Sequence, residues 1–166
     1  MKYRVSGGTL RVKARSRVHD TTTVWDRLTG DVEADADTLA TAGAKATFSV
    51  DMTSCDAGDW LKTRKLKKDF ELERHPTAVF ELRSVKDVVR EGAKFTATAE
   101  GVLKWRGKEV VLVLAGRGTL DEVHVEASAT FELDIKTLGL AAPRFLMIKM
   151  EDEVTVEVTV RGAVAG

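Results

Sequence analysis

Residues 123–135 read VHVEASATFELDI. The odd positions carry Val123, Val125, Ala127, Ala129, Phe131, Leu133 and Ile135, and the even ones His124, Glu126, Ser128, Thr130, Glu132 and Asp134. Successive side chains of an extended strand point to opposite faces, so this segment has one oily face and one wet face. The same period returns at 44–52, where Ala44, Ala46, Phe48, Val50 and Met52 alternate with Lys45, Thr47, Ser49 and Asp51. It returns again in Val154, Val156, Val158 and Val160, and in the row Phe95, Ala97, Ala99, Gly101, Leu103 and Trp105. Shorter rows stand at Val32/Ala34/Ala36, Ala78/Phe80/Leu82 and Leu10/Val12/Ala14. One-sided patterning of this kind belongs to an antiparallel sheet packed on a single face. The run Val110–Leu114 is apolar at every position and predicts a strand covered on both faces.

Gly7-Gly8, Glu91-Gly92 and Arg106-Gly107 read as turns and divide the chain into about eight to nine strands. Gly116 and Gly118 read as marks of a bulge or a strong bend. Long strands with one apolar face favour closure into a barrel, which removes unpaired edges, although a two-sheet sandwich carries the same pattern. One segment departs from the alternation. DWLKTRKLKKDFEL, from Asp59 to Leu72, is rich in helix formers and spaces Leu66 and Phe70 four apart. Asp59 suits an N-cap and Pro76 bars continuation, so a short helix crossing one end of the sheet is expected. A second irregular segment is expected from Thr137 to Met150, where Gly139 and Pro143 interrupt and Phe145 to Ile148 is apolar.

The 166 residues, 18.2 kDa, suit one domain spanning 1–166. Lys and Arg number 26 and Asp and Glu 26, a balance that argues against a polyanion binder, so no nucleic-acid partner is expected. Cys55 is the single cysteine, which excludes an intrachain disulfide and reads as a small core residue. No stretch approaches the ~20 apolar residues of a membrane span. The N-terminal sequence MKYRVSGGTLRVKARSRVHD has no apolar core of a signal peptide, so the expectation is cytoplasmic, or periplasmic if a leader has been removed. Basic residues gather at Lys2–Arg17 and at Lys62–Lys68, and acidic ones at Asp121–Asp134. If the two basic stretches meet they could hold an anionic headgroup; otherwise they form a solvated face.

His19, His75 and His124 fall in no metal-ligand spacing, and no nucleotide-cradling glycine motif or nucleophile motif is present. No catalytic residue, metal or cofactor is therefore assigned. The functional hint lies in the inward rows, which mix Phe48, Phe80, Phe95, Trp105 and Phe131 with small residues such as Ala97, Ala99, Gly101 and Ala129. An eight-stranded barrel has an interior just wide enough to be filled by side chains or to hold one small ligand. Small residues on neighbouring rows leave room for an apolar chain, or else offset the aromatics in a filled core.

The segment TFSVDMTSCDAGDWLKTRKLKKDFELERHPTAVFEL resembles the middle of the YceI-like, polyisoprenoid-binding family, with Asp69, Phe70, His75, Pro76 and Phe80 at matching places. GVLKWRGKEVVLVL is similar to that family's hairpin, and FELDIKTLGLAAPRFLMIKMEDEVTVEVTV to its C-terminal pattern. The resemblance implies an all-β, antiparallel, eight-stranded lipocalin-like barrel with a helix near one end, a lumen for an isoprenoid or other lipid, and no enzymatic activity. The crossing segment KLKKDFELERHP is shorter than the commonest family form, which bears on how long a ligand fits.

The leading expectation is a non-enzymatic binder of an apolar, isoprenoid-like ligand, with a homodimer as the one protein partner considered. Phe48, Phe80, Phe95, Ala97, Ala99, Trp105, Ala129 and Phe131 are expected along its chain, and Arg15, Arg17 or Lys65 near an anionic headgroup at the rim. The alternative is a compact barrel with a filled lumen acting through its surface as an interaction or stress-related module. A third reading gathers Arg15, Arg17, His75 and Trp60 at the barrel mouth as an enzyme site.

Overall fold

The computed structural model describes residues 1–142, 144–145 and 148–165. Its long strands are β1 (Lys2–Arg15), β2 (Asp20–Trp25), β3 (Leu28–Ala34), β4 (Ala44–Asp51), β5 (Thr77–Glu91), β6 (Lys94–Trp105), β7 (Lys108–Leu120) and β8 (His124–Asp134). Two short strands, β9 (Arg144–Phe145) and β10 (Ile148–Lys149), pair with each other, and β11 (Glu153–Val164) ends the sheet. All neighbours in the large sheet are antiparallel, as one-sided alternation requires.

The sheet closes on β1. Along one edge β1 pairs with β11 from Tyr3 opposite Val164 to Ala14 opposite Val154. Along the other, Lys2–Val5 pair with β3 and Leu10–Arg15 pair with β2. Only Asp26 and Arg27 separate β2 from β3, so the two act as one bent strand and the ring is an eight-stranded barrel. This decides against the sandwich.

The bends lie elsewhere than the glycine pairs suggested. Register shifts occur in β1 between Val5 and Gly7 and in β5 at Leu82/Ser84 and Lys86/Val89. Gly7-Gly8 is therefore inside a strand and is no turn. Gly116 and Gly118 sit in unbroken register with β6 and β8, so they mark no bulge. A Cβ at Gly118 would lie 1.9 Å from the Glu126 carbonyl oxygen, and the glycine is there to let two backbones meet. Arg106-Gly107 does form a turn, with φ of 56° and 74°, the pair of positive values that a two-residue hairpin favours.

The run Val110–Leu114 is covered on one face only. Leu112 and Leu114 point inward, while Val111 and Val113 stand exposed on the outer wall. Val123, placed by its alternation on the inner row, is exposed in the turn before β8.

Both ends of the barrel are plugged. At one end α2 (Trp60–Asp69) crosses, and Leu66, Leu72, Trp105, Leu138 and Met150 pack into a cluster with Val154 and Val156. At the other, Tyr3, Leu39 from α1 (Leu39–Ala42), Leu120 and Val125 pack together. Asp59 caps α2 as expected, its carboxylate accepting from the Lys62 N–H at 2.8 Å. The helix stops well before Pro76. Glu71 takes a left-handed φ of 51°, and the Leu72 N–H reaches back to the Lys67 carbonyl at 3.0 Å. A short 3₁₀ turn at Ile135–Leu138, ended by Gly139 in the left-handed region, begins the second irregular segment. Pro143, Leu146 and Met147 of that segment lie outside the described residues.

Tyr3, almost fully buried, donates its hydroxyl to the Asp121 carbonyl oxygen at 2.5 Å and ties the N-terminal strand to the β7–β8 turn. Burial is the main reason its pKa is raised, so the hydroxyl stays a donor. Tyr3→Phe should cost about 1–2 kcal/mol of stability with the fold unchanged, read by urea unfolding.

Candidate functional site

The inward rows meet around a hollow. Between the two plugs the described residues line a hollow of about 320 Å³. Its wall is built mainly by alternation, with every second residue of the strands facing it and plug residues closing the ends, and the only lining side chains that carry polar groups beyond a tryptophan ring are Arg117 and Ser128. A void of ~150 Å³ lined by Leu, Ile and Phe stays dry and accepts apolar guests, and this one is roughly twice that size. Because the hollow is unfilled, Phe48, Phe80, Phe95, Phe131, Ala97, Ala99 and Ala129 are only half-buried although they point inward.

The eight apolar residues expected along a ligand all line this cavity: Phe48, Phe80, Phe95, Ala97, Ala99, Trp105, Ala129 and Phe131. The cations expected near it do not. Arg15 donates to Thr155 Oγ1 at 2.9 Å on the outer wall, Lys65 pairs with Asp69 at 2.9 Å along the helix, and Arg17 is exposed in the β1–β2 turn. None of the three belongs to the lining. Arg15 is kept out of the lining because β1 turns it outward by the same alternation that turns Ala14 in. Arg15, Arg17, His75 and Trp60, the residues of the enzyme reading, likewise do not line the cavity. The His75 carbonyl accepts from the Trp105 indole at 2.9 Å, a structural link.

Small residues play two different roles here. A Cβ on Gly101 would fall 2.3 Å from Phe80 Cζ and 2.5 Å from the Glu81 carbonyl oxygen, so the Phe80 ring lies over the bare backbone of the next strand. Gly101 therefore adds no free space, against the reading that counted it with the alanines. At Gly116 the nearest atoms would be 3.8 Å away, and its missing side chain does leave the lumen wider. Lining residues that the sequence reading missed include Leu112 and Leu114, hidden in the uniformly apolar run, and Phe70, Leu138 and Leu140 from the plug. Only the alternation of β7 with β6, where Leu114 faces Ala99, could have placed the first two.

Cys55 is buried among the plug residues, and that burial pushes its thiol pKa up, as for a structural cysteine. Among the described residues no group of three His, Cys, Asp or Glu side chains comes together as a metal site would need. No helix among them is long and apolar enough to cross a membrane.

A family model for the YceI-like domain matches residues 4–161. The chain belongs to the YceI-like family. Solved structures share the barrel: a polyisoprenoid binding domain from Saccharophagus degradans, implicated in plant cell wall breakdown, superposes with a TM-score of 0.80 at 15% identity, covering 98% of each chain. BcnA of Burkholderia cenocepacia gives 0.73 at 16% identity, over 93% of this chain and 95% of that one. The YCEI protein of Campylobacter jejuni gives 0.73 at 11% identity, over 92% and 90%. At these identities the likeness is one of fold. No curated protein sequence matches the chain. The YceI-like barrel here keeps its closure while almost all of its side chains differ from those of these neighbours.

The two glycines should respond in opposite ways to one added methyl. Gly116→Ala should leave the melting temperature unchanged or slightly higher, since the Cβ meets only open lumen. Gly101→Ala should lower stability by about 1–3 kcal/mol as Phe80 is forced aside.

Proposed function

We propose that this YceI-like protein holds one apolar chain, isoprenoid or acyl, inside its barrel and performs no chemistry on it. The observation that carries the reading is the apolar-lined hollow of about 320 Å³ in an otherwise well-plugged barrel. At ~24 cal/mol per Å³, an unfilled void of this size costs on the order of 8 kcal/mol relative to a filled one. That is comparable with the whole stability of an ordinary domain, ~5–15 kcal/mol. A sequence under no other constraint would fill it by exchanging Ala97, Ala99 or Ala129 for larger residues. An apolar guest recovers the same free energy, about 0.8 kcal/mol per buried CH₂, and needs no directional partner.

The volume sits at the lower end of ordinary ligand sites, ~300–1,000 Å³, which favours a single chain of modest length. The shortened crossing segment agrees with that. With Arg15, Arg17 and Lys65 away from the hollow, recognition rests on apolar transfer and shape, and Phe48, Phe80, Phe95, Trp105 and Phe131 are the residues we assign to the guest's flanks. The polyisoprenoid-binding domain among the structural neighbours supports the ligand class.

Substitution into the lumen separates a carrier from a filled barrel. Ala99→Leu and Ala129→Leu should leave stability equal or raise it by up to ~2 kcal/mol while abolishing uptake of a fluorescent fatty acid. A barrel that is full in solution would instead lose about 1–3 kcal/mol on the same changes.

A further inference from the structure

The plugged end that carries α2 also carries the most exposed large apolar side chains among the described residues. Ala14, at the end of β1, and Leu66 of α2 pack into the same cluster, so the β1–β2 turn and α2 share one end of the barrel. Val18 in that turn is 72% exposed, and Trp60 and Leu61 at the start of α2 are 68% and 70% exposed. These three exceed every other large apolar residue among those described. Leaving a tryptophan and a leucine side by side in water costs apolar transfer energy, and contiguous exposure of this kind marks a contact surface.

The helix charges around them are mainly basic, with the N-cap Asp59 as the acid next to Trp60. Lys62, Arg64, Lys65, Lys67 and Lys68 stand on α2 against a single acid, Asp69, in a chain whose formal charge is zero. Arg15 and Arg17 lie exposed at the same end. The Arg64 guanidinium sits 5.3 Å from the Trp60 ring centroid, leaving a cation next to the apolar knob. Trp60 and Leu61 protrude at a helix start, about 100° apart around the helix by its 3.6-residue turn. A rigid protein partner would need a matching pocket for such a corner, whereas a fluid interface accepts it. Tryptophan settles at the boundary of headgroups and acyl chains, and basic side chains face anionic headgroups at about 1 kcal/mol each.

We propose that this end of the barrel docks on an anionic lipid surface, with Trp60 and Leu61 entering the interface and Arg17, Arg64, Lys65 and Lys68 facing the headgroups. The docking is a property of the outer surface and holds whether or not the lumen takes a guest.

The protein reports on this itself, because Trp25 and Trp105 are 4% and 7% exposed and Trp60 alone is open to solvent. Vesicles of phosphatidylcholine mixed with phosphatidylglycerol should shift the tryptophan emission to the blue and carry the protein down on sedimentation, and molar salt should reverse both. The double variant Trp60→Ala, Leu61→Ala should lose vesicle affinity by roughly tenfold or more with its circular dichroism and melting temperature unchanged. Arg64→Glu with Lys68→Glu should do the same. Unmoved emission with no sedimentation overturns the proposal. So does a double variant that sediments like the parent, or equal binding to phosphatidylcholine alone. Loss of fatty-acid uptake with vesicle binding intact would instead strike only the lumen reading.

Discussion

The pairing of β1 with β11 is the seam on which the molecule depends. It joins the first strand to the last along nearly their full length, Tyr3 to Val164 through Ala14 to Val154. Without it the sheet would be open, two edges would stand unpaired, and the apolar rows would have no enclosed space to face. With it, a two-residue sequence period becomes an inside and an outside. The seam is also costly to form, since its partners are at opposite ends of the chain and the loop must close before any reward arrives. Tyr3 reinforces it by anchoring β1 to the turn that leads into β8.

Once closed, the barrel's character is set by how the interior is filled. The aromatic residues are not evenly spread: Phe80 lies over Gly101 and Phe48 over Gly30, each pressed against a bare strand. Rings seated against the strands in this way cover the wall and leave space along the axis. Ala97, Ala99 and Ala129 face that axis with a single methyl each. The two plugs then cap the ends, the helix end through Leu66, Leu72 and Trp105 and the other through Leu39, Leu120 and Val125. A water molecule needs two to four polar partners to stay in such a space, and the lining offers almost none.

Much of this was legible in the sequence because its period is short and global. The alternation through His124–Asp134 alone points to a one-sided strand, and its recurrence points to an antiparallel barrel or sandwich. What decided between them, the β1–β11 ladder, is a contact between distant residues and leaves no local trace. The aromatic and alanine positions of the lumen were readable for the same reason that the strands were. The cations were not, because which basic residues approach a cavity depends on strand direction and turn geometry. Arg15 follows Ala14 and must face outward wherever Ala14 faces in. Glycine was the least transparent residue: Gly101, Gly116 and Gly118 look alike in sequence, yet one accommodates a ring, one widens the lumen and one lets two backbones touch. The helix end at Glu71 was hidden too, since a left-handed residue there is an unfavoured choice that the burial of Leu72 supports.

The barrel surrounds an apolar space that its side chains leave unfilled. A crystal of the delipidated protein held under xenon tests this most directly, because xenon enters apolar voids and scatters strongly. The account predicts xenon on the barrel axis, ringed by Ala97, Ala99, Ala129 and Phe80. Side chains in continuous contact across the axis, with no xenon between them, would contradict it.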